Sequence, residues 1–340
     1  MKILFVKLSS LGDIVHSFPA VNDCAQNMPD IELHWLVEEG FADLAALPKF
    51  VKNTHKIHLR KLKKQPIKAW QHIRAVRKIL KAENYDIVID GQGLIKSGIL
   101  AKNIAPDVYG YDKNSARDSN ASYFYNHKIN VSKEMHALER TRQLFAQSLG
   151  YSIEDKKFNY GIDATIYQPK GELILNQNHI HEPFVFLFHG TTWPTKHWPF
   201  DHWVELAELL KNNHLRALVT YGNDSEKERA EKLSQASDNF IILPKLPLME
   251  LMAVLSCAKA FVSVDTGLGH LAAALDLPGV AIYGPTSPDK VGILGTHQIS
   301  LFGHKEGEPF YNKEYKQGFD SMANITAQQV YDKLLTWLGE

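Results

Sequence analysis

The stretch Phe261-Val262-Ser263-Val264-Asp265-Thr266-Gly267-Leu268-Gly269-His270 decides the fold. Its first four residues read as a short strand buried on both faces, and residues 268–275 read as a helix. Asp265-Thr266-Gly267 leaves room only for a tight turn between them. A strand that feeds a helix directly is the building unit of a parallel sheet, in which ligands bind beyond the carboxyl ends of the strands. The same rhythm extends outward on both sides. Strands are predicted at 184–188, 217–220 and 280–283, with helices at 200–210 and 225–233. Towards the N-terminus, strands are predicted at 2–6, 33–37 and 87–89, with helices at 14–25 and 136–149. Residues 152–183 are mostly polar and contain Pro169-Lys170-Gly171, so the linker is placed there.

The expected architecture is α/β, with two Rossmann-like domains facing each other across a cleft. With 340 residues the chain exceeds what one core usually organises. Residues 1–160 form the first domain and 161–325 the second, with a helix at 326–338 expected to fold back on the first. Cys24 and Cys257 are far apart, each in an apolar segment, and read as buried free thiols of a reducing compartment. No signal peptide is expected, and no stretch approaches the ~20 apolar residues that cross a bilayer.

Net charge is zero but unevenly spread. Between Asp43 and Glu83 there is no acidic residue, while lysine and arginine recur from Lys49 to Lys81. Pro66 can open a basic amphipathic helix here, with Trp70, Ile73, Val76 and Leu80 on one face. Such a segment suits an anionic partner: phosphorylated lipid, a membrane surface or nucleic acid.

Three strand ends carry candidate chemistry. After the first strand come Lys7-Leu8-Ser9-Ser10-Leu11-Gly12-Asp13, where Asp13 can cap the next helix or act as a base. The loop is neither Gly-x-Gly-x-x-Gly nor a phosphate-binding P-loop. After the first strand of the second half come His189-Gly190-Thr191-Thr192-Trp193-Pro194-Thr195-Lys196-His197-Trp198. Its hydroxyls, amides and lysine can bind phosphate, or it can be a polar loop anchored by two tryptophans. At the third, Thr266 and Gly267 place backbone N–H groups at a helix N-terminus, an anion site, with His270 one turn on. No metal site is expected: His55-x-x-His58 lacks a third ligand. No Gly-x-Ser-x-Gly elbow is present.

Together these three loops resemble glycosyltransferase family 9, the ADP-heptose:lipopolysaccharide heptosyltransferases. The stretches Trp35-Leu36-Val37-Glu38-Glu39-Gly40-Phe41, Asp90-Gly91-Gln92-Gly93-Leu94-Ile95-Lys96-Ser97, Glu139-Arg140-Thr141-Arg142 and Tyr283-Gly284-Pro285-Thr286 resemble the branch that makes the first heptose transfer. The resemblance runs along nearly the whole chain. It implies the GT-B fold, ADP-L-glycero-D-manno-heptose as donor, the inner Kdo of Kdo2-lipid A as acceptor, and inversion at the anomeric carbon. It makes Asp13 the general base. Thr191, Thr192 and Lys196 would hold the donor diphosphate, with backbone donors from Thr266 and Gly267. Asp265 and His270 would bind heptose or the adjoining phosphate, Glu226 the ribose, with Glu228 close enough in sequence to compete, and Leu246 the adenine.

On the acceptor side the resemblance implies Ser10, Arg60, Lys61, Lys63, Lys64, Arg117 and Arg140. The family pattern carries more arginine around 60–64, and lysine cannot reproduce its planar two-pronged contact. No cofactor is required, although an auxiliary divalent ion has room in this scheme. The protein is expected to be a monomer at the cytoplasmic face of the inner membrane, with no nucleic-acid partner. The alternatives are transfer of the second heptose or a sugar-nucleotide epimerase on the same fold.

Overall fold

The computed structural model describes residues 1–62, 64–153, 157–304 and 321–338. It divides into two units, Met1–Ile162 and Asp163 onward. The first holds six parallel strands, β1 (Lys2–Val6), β2 (Glu32–Glu38), β3 (Val51–Ile57), β4 (Ile87–Asp90), β5 (Asp107–Tyr111) and β6 (His127–Ile129). Their order in the sheet is β3-β2-β1-β4-β5-β6. The second holds β7 (Phe184–Phe188), β8 (Arg216–Val219), β9 (Phe240–Ile242), β10 (Ala260–Val264), β11 (Gly279–Tyr283) and β12 (Gln298–Phe302). Their order is β12-β11-β10-β7-β8-β9, again all parallel. Counted from each unit's own first strand, the two sheets have one topology. In both, the strand order reverses beside the first strand, between β1 and β4 and between β7 and β10, and ligands of doubly wound sheets bind at that point.

Central strands are continuous apolar runs because helices cover both faces. All five residues of β7, β10 and β11 are buried. The edge strand β3 instead reads VKNTHKI and is buried only at its two ends. Its lysines keep an open edge from pairing with another chain.

Two parts of the fold go beyond the sequence reading. The polar linker contains a helix, Gln168–Gln177, with Pro169 in its first turn. It docks on the helix Leu248–Leu255 through Gly171, where an added Cβ would stand 2.1 Å from the Ala253 carbonyl oxygen. The C-terminal helix, Ala327–Leu338, packs on elements of the second unit. Its buried face (Ala327, Val330, Tyr331, Leu334) shares one core with Trp203, Leu206 and Leu210 of the helix Phe200–Lys211 and with β10 and β11. Trp198 Nε1 donates to the Ile325 carbonyl 2.8 Å away and fixes its approach.

Cys24 is buried as expected, whereas Cys257 is partly exposed. The basic helix spans Pro66–Ala82 and buries Ile73, Val76 and Leu80, while Trp70 stays 47% exposed. Among the described residues no helix is long and apolar enough to cross a membrane.

Candidate functional site

At the carboxyl edge of the first sheet, the chain leaving β1 turns into a short helix, Leu11–Val15. The Ser10 backbone N–H donates to Asp13 Oδ2 at 2.7 Å, and the Ser10 hydroxyl donates to the same oxygen at 3.1 Å. Capping therefore occupies one carboxylate oxygen. The other, Oδ1, lies 3.5 Å from Lys7 Nζ, and the Asp13 side chain is 27% exposed. Burial pushes the Asp13 pKa up, but the Lys7 charge, the two Ser10 hydrogen bonds and the more distant Arg117 charge outweigh it. Asp13 is held below the usual carboxylate range and is ionised at neutral pH, as a proton acceptor must be.

The surroundings of Asp13 are built rather than incidental. Lys7 is buried, and its ammonium also donates to the Gly91 carbonyl at 2.8 Å, so the lysine is fixed in place. Gln92, just past β4, accepts from the Leu8 and Ser9 amides at 2.8 and 3.1 Å. The fully buried Asp90 accepts from Tyr125 Oη at 2.7 Å and from the Gln92 amide at 2.9 Å. Burial raises its pKa despite these bonds. Lys7 and Gln92 lie in motifs legible in the sequence, but their work of holding the Asp13 loop emerges only from the fold.

The acceptor-side candidates gather around the ends of β2, β3 and β5. The Arg60 amide donates to Glu38 at 3.2 Å, and its guanidinium lies over the Phe41 ring at 5.1 Å. Lys61 and His58 both pair with Glu39. Lys64 and Arg117 are exposed, and Lys63 lies outside the described residues. Arg140 donates to the Ser115 carbonyl and stacks its guanidinium over Tyr111 at 4.9 Å. His55 is hydrogen-bonded to Tyr85 at 2.7 Å. Among the described residues no group of three or more His, Cys, Asp or Glu side chains is placed to hold a metal ion.

In the second unit the loops after β7 and β10 meet. Lys196 pairs with Asp265 Oδ2, which also accepts from Thr286 Oγ1 at 3.0 Å. Both partners are largely buried, with side chains 14% and 12% exposed. The Lys196 ammonium also sits 4.4 Å above the Trp193 ring. Thr191 Oγ1 donates to the Asp265 carbonyl at 3.1 Å, tying the two loops together. Thr266 stands at the N-cap position of the helix Gly267–Ala274, on which His270 is buried. First-turn amides of a helix have no intrahelical acceptor, so they can serve an anion.

Two cavities open here and share Glu226. One, of about 230 Å³, is lined by Leu246, Leu248 and Leu251 on its apolar side and by His189, Gly190 and Thr266 on the other. The second, of about 270 Å³, is polar and lined by Thr191, Thr192, His197, Asn223, Ser225 and Arg229. Glu226 Oε2 accepts from the Gly222 amide at 2.6 Å, and the Asn223 side chain caps its helix, Asp224–Ala236, by accepting from the Glu226 amide. Gly190 leaves room for the Glu226 carboxylate, since a Cβ there would stand 2.8 Å from the carboxyl carbon and displace it. Glu228 points elsewhere: it is 68% exposed and paired with Lys232. The structure thus separates two carboxylates that sequence proximity left in competition.

His189 is buried, and burial lowers its pKa to about 4, with the nearby Arg229 charge adding to the effect. His197 is lowered for the same two reasons. Both rings are neutral at pH 7. His197 Nδ1 lies 3.3 Å from the His189 carbonyl and so carries the proton there. His197 and Arg229 were not singled out from the sequence; His197 lies inside the quoted loop, whereas nothing sets Arg229 apart from its charged helical neighbours.

The sequence model of glycosyltransferase family 9 (heptosyltransferase) matches residues 73–318. The chain is 39% identical to lipopolysaccharide heptosyltransferase 1 of Escherichia coli over 98% of its own length and 99% of that protein's. It is 41% identical to lipopolysaccharide heptosyltransferase 1 of Pseudomonas aeruginosa, over 88% and 83% respectively. The solved structure of E. coli heptosyltransferase WaaC with ADP-2-deoxy-2-fluoro heptose superposes with a TM-score of 0.79 at 38% identity, covering 98% of each chain. Membership of a transferase family sets the epimerase alternative aside. By sequence and by fold, this chain belongs to glycosyltransferase family 9, the heptosyltransferases.

Proposed function

We propose that this heptosyltransferase moves heptose from ADP-L-glycero-D-manno-heptose to the inner Kdo of Kdo2-lipid A, with inversion, in building the lipopolysaccharide inner core. The observation that carries the reading is the Asp13 carboxylate. It is ionised, partly exposed and held at the switch point of the first sheet, with one oxygen fixed by Ser10 and the other left towards solvent and Lys7. In a single displacement the acceptor hydroxyl attacks the heptose C1 while Asp13 takes its proton. The bond from C1 to the phosphate oxygen breaks, and ADP departs with the electron pair.

On the donor side, Leu246 and its apolar neighbours suit adenine, Glu226 suits the ribose hydroxyls, and Thr191, Thr192, Thr266 and Gly267 suit the diphosphate. Lys196 would offset charge on departing ADP, and Asp265 and His270 would face the heptose side of the same edge. This scheme needs no metal, so turnover should survive a chelator. On the acceptor side, Ser10, Arg60, Lys61, Lys63, Lys64, Arg117 and Arg140 supply hydroxyl and positive charge for the carboxylates of Kdo and the phosphates of lipid A.

The helix Pro66–Ala82 would rest on the anionic inner membrane. Ile67, Trp70, Arg74, Lys78 and Lys81 are exposed along one flank of it, and the Arg74 guanidinium stands over the Trp70 ring. Cosedimentation with phosphatidylglycerol vesicles tests this contact, and about 0.5 M salt, which screens exposed charges beyond a few ångström, should release the protein.

The decisive experiment is mass spectrometry of Kdo2-lipid A after incubation with ADP-heptose. One added heptose on the inner Kdo is expected. Transfer only to an acceptor that already carries one heptose would replace this reading with the second transfer.

A further inference from the structure

The polar cavity beside Glu226 is lined by the Thr191 and Thr192 hydroxyls, the His197 ring and the guanidinium of Arg229. Arg229 sits one turn beyond Glu226 on the helix Asp224–Ala236 and is only partly exposed. Among the described residues it has no hydrogen-bonded or ion-paired acid. Of the residues lining the cavity only Glu226 is acidic, and one of its oxygens is already taken by the Gly222 amide. An arginine drawn partly out of water without a bound carboxylate is an incomplete site: its planar fork of donors is matched to phosphate oxygens.

Lys196 cannot fill that need alone. Its ammonium is paired with Asp265, and both are largely buried, so much of its charge is cancelled before any ligand arrives. His197 is neutral at pH 7, so it adds a hydrogen-bonding edge but no charge. A diphosphate leaving group gains negative charge as the sugar bond breaks, and fixed cations that meet it stabilise that change.

We propose that Arg229 is a ligand of the donor's diphosphate, supplying through the Thr191–Thr192–His197 cavity the positive charge that the Lys196–Asp265 pair withholds. The inference rests on the nucleoside-diphosphate reading of the second unit. It makes Glu226 and Arg229 a pair on one helix face, the carboxylate for ribose hydroxyls and the guanidinium for phosphate.

The test is calorimetric titration of ADP, adenosine and inorganic pyrophosphate into the wild-type chain, R229Q and R229K, with melting temperature as the folding control. R229Q should weaken ADP and pyrophosphate by about 10- to 100-fold, the range of a charge-assisted contact, and leave adenosine within about twofold. R229K, keeping the charge without the fork, should fall between. Equal losses for adenosine and ADP would mean that Arg229 only shapes the nucleoside pocket, and no loss for ADP would remove it from the site; either overturns the inference while the donor reading stands. A wild-type chain that binds neither ADP nor pyrophosphate would overturn both.

Discussion

At the switch point of the first sheet, β1 and the helix after it present Lys7 and Asp13; at that of the second, the loops after β7 and β10 present Lys196 and Asp265. Topology and residue types correspond, although Asp13 follows the first strand of its sheet and Asp265 the fourth of its own. The pairing does not. Lys7 stands 3.5 Å from its aspartate and also donates to the Gly91 carbonyl, leaving Asp13 27% exposed. Lys196 is in direct contact with Asp265, both are largely buried, and Thr286 adds a third bond. A loosely paired carboxylate stays available to a proton, whereas a closed pair gives a fixed dipole around which hydroxyls and amides can be arranged for an anion. One fold repeated twice thus carries two lysine–aspartate pairs that differ in how tightly the lysine holds the aspartate.

The comparison breaks first at Asp13. Asp13→Asn keeps the shape and can still meet Ser10, but it cannot accept a proton. Turnover should fall by about 10²- to 10⁴-fold, the usual worth of a general base, with ADP affinity unchanged. Single-turnover rates beside ADP titrations check this. Retained turnover would reduce Asp13 to its capping role.

Acid should expose the second unit's edge. The folded pKa of His189 is about 4, below the ordinary value of 6.5, because the ring is buried and Arg229 is near. Below about pH 6.5 the unfolded chain takes up a proton that the folded chain refuses. This contribution to stability is therefore intact above pH 6.5 and declines as pH falls, levelling near pH 4. A shift of that size corresponds to a loss on the order of 3 kcal/mol. Melting temperature against pH should show the slope, and His189→Gln should flatten it. An unchanged slope would place the acid sensitivity elsewhere, with the similarly lowered His55, His72 and His197.

The two lysines should then fail in different ways. Lys196→Ala leaves Asp265 buried without its counter-ion, so both stability and ADP-heptose affinity should drop, the latter about 10- to 100-fold. Lys7→Met removes the charge that holds the Asp13 pKa down, and burial then pushes it up. The acid limb of the pH–kcat/KM profile should move to higher pH with little change in ADP binding. Similar donor defects in both variants would erase the distinction between the two edges.

Much of this was legible because burial writes itself into sequence. β1, β2, β4, β7, β8, β10 and β11 are apolar runs, and the turns that follow them carry Asp13, Thr191, Lys196 and Asp265. The strands that escaped notice are peripheral or interrupted. β3 is polar because it is an edge, and β6 and β9 are three residues each. In β5, Gly110 breaks the pattern because Tyr125 packs where its side chain would be. The sequence placed a helix at 326–338, but did not show that Trp203 and Leu206 would share its core. Arg229 was hidden for a related reason. In DSEKERAEKLSQA every turn offers charges, and only the fold shows which of them face a cavity.

That same helix provides the finest test. Glu226 and Glu228 are two residues apart and chemically identical, yet the first borders both cavities while the second is 68% exposed and bound to Lys232. A fully exposed pair of this kind contributes little to stability, so Glu228→Gln should leave ADP binding and melting nearly unchanged. Glu226→Gln keeps the size and one acceptor oxygen but loses the charge that would strengthen bonds to the proposed ribose hydroxyls. ADP affinity should fall about tenfold, with a similar loss for adenosine because the contact is to the sugar. The adenosine titration carries the argument: a loss confined to ADP would move Glu226 from the ribose to the phosphates, beside Arg229. Equal behaviour of the two glutamate variants would mean that the second sheet's ligand does not reach this helix, leaving the loops after β7 and β10 to hold the donor alone.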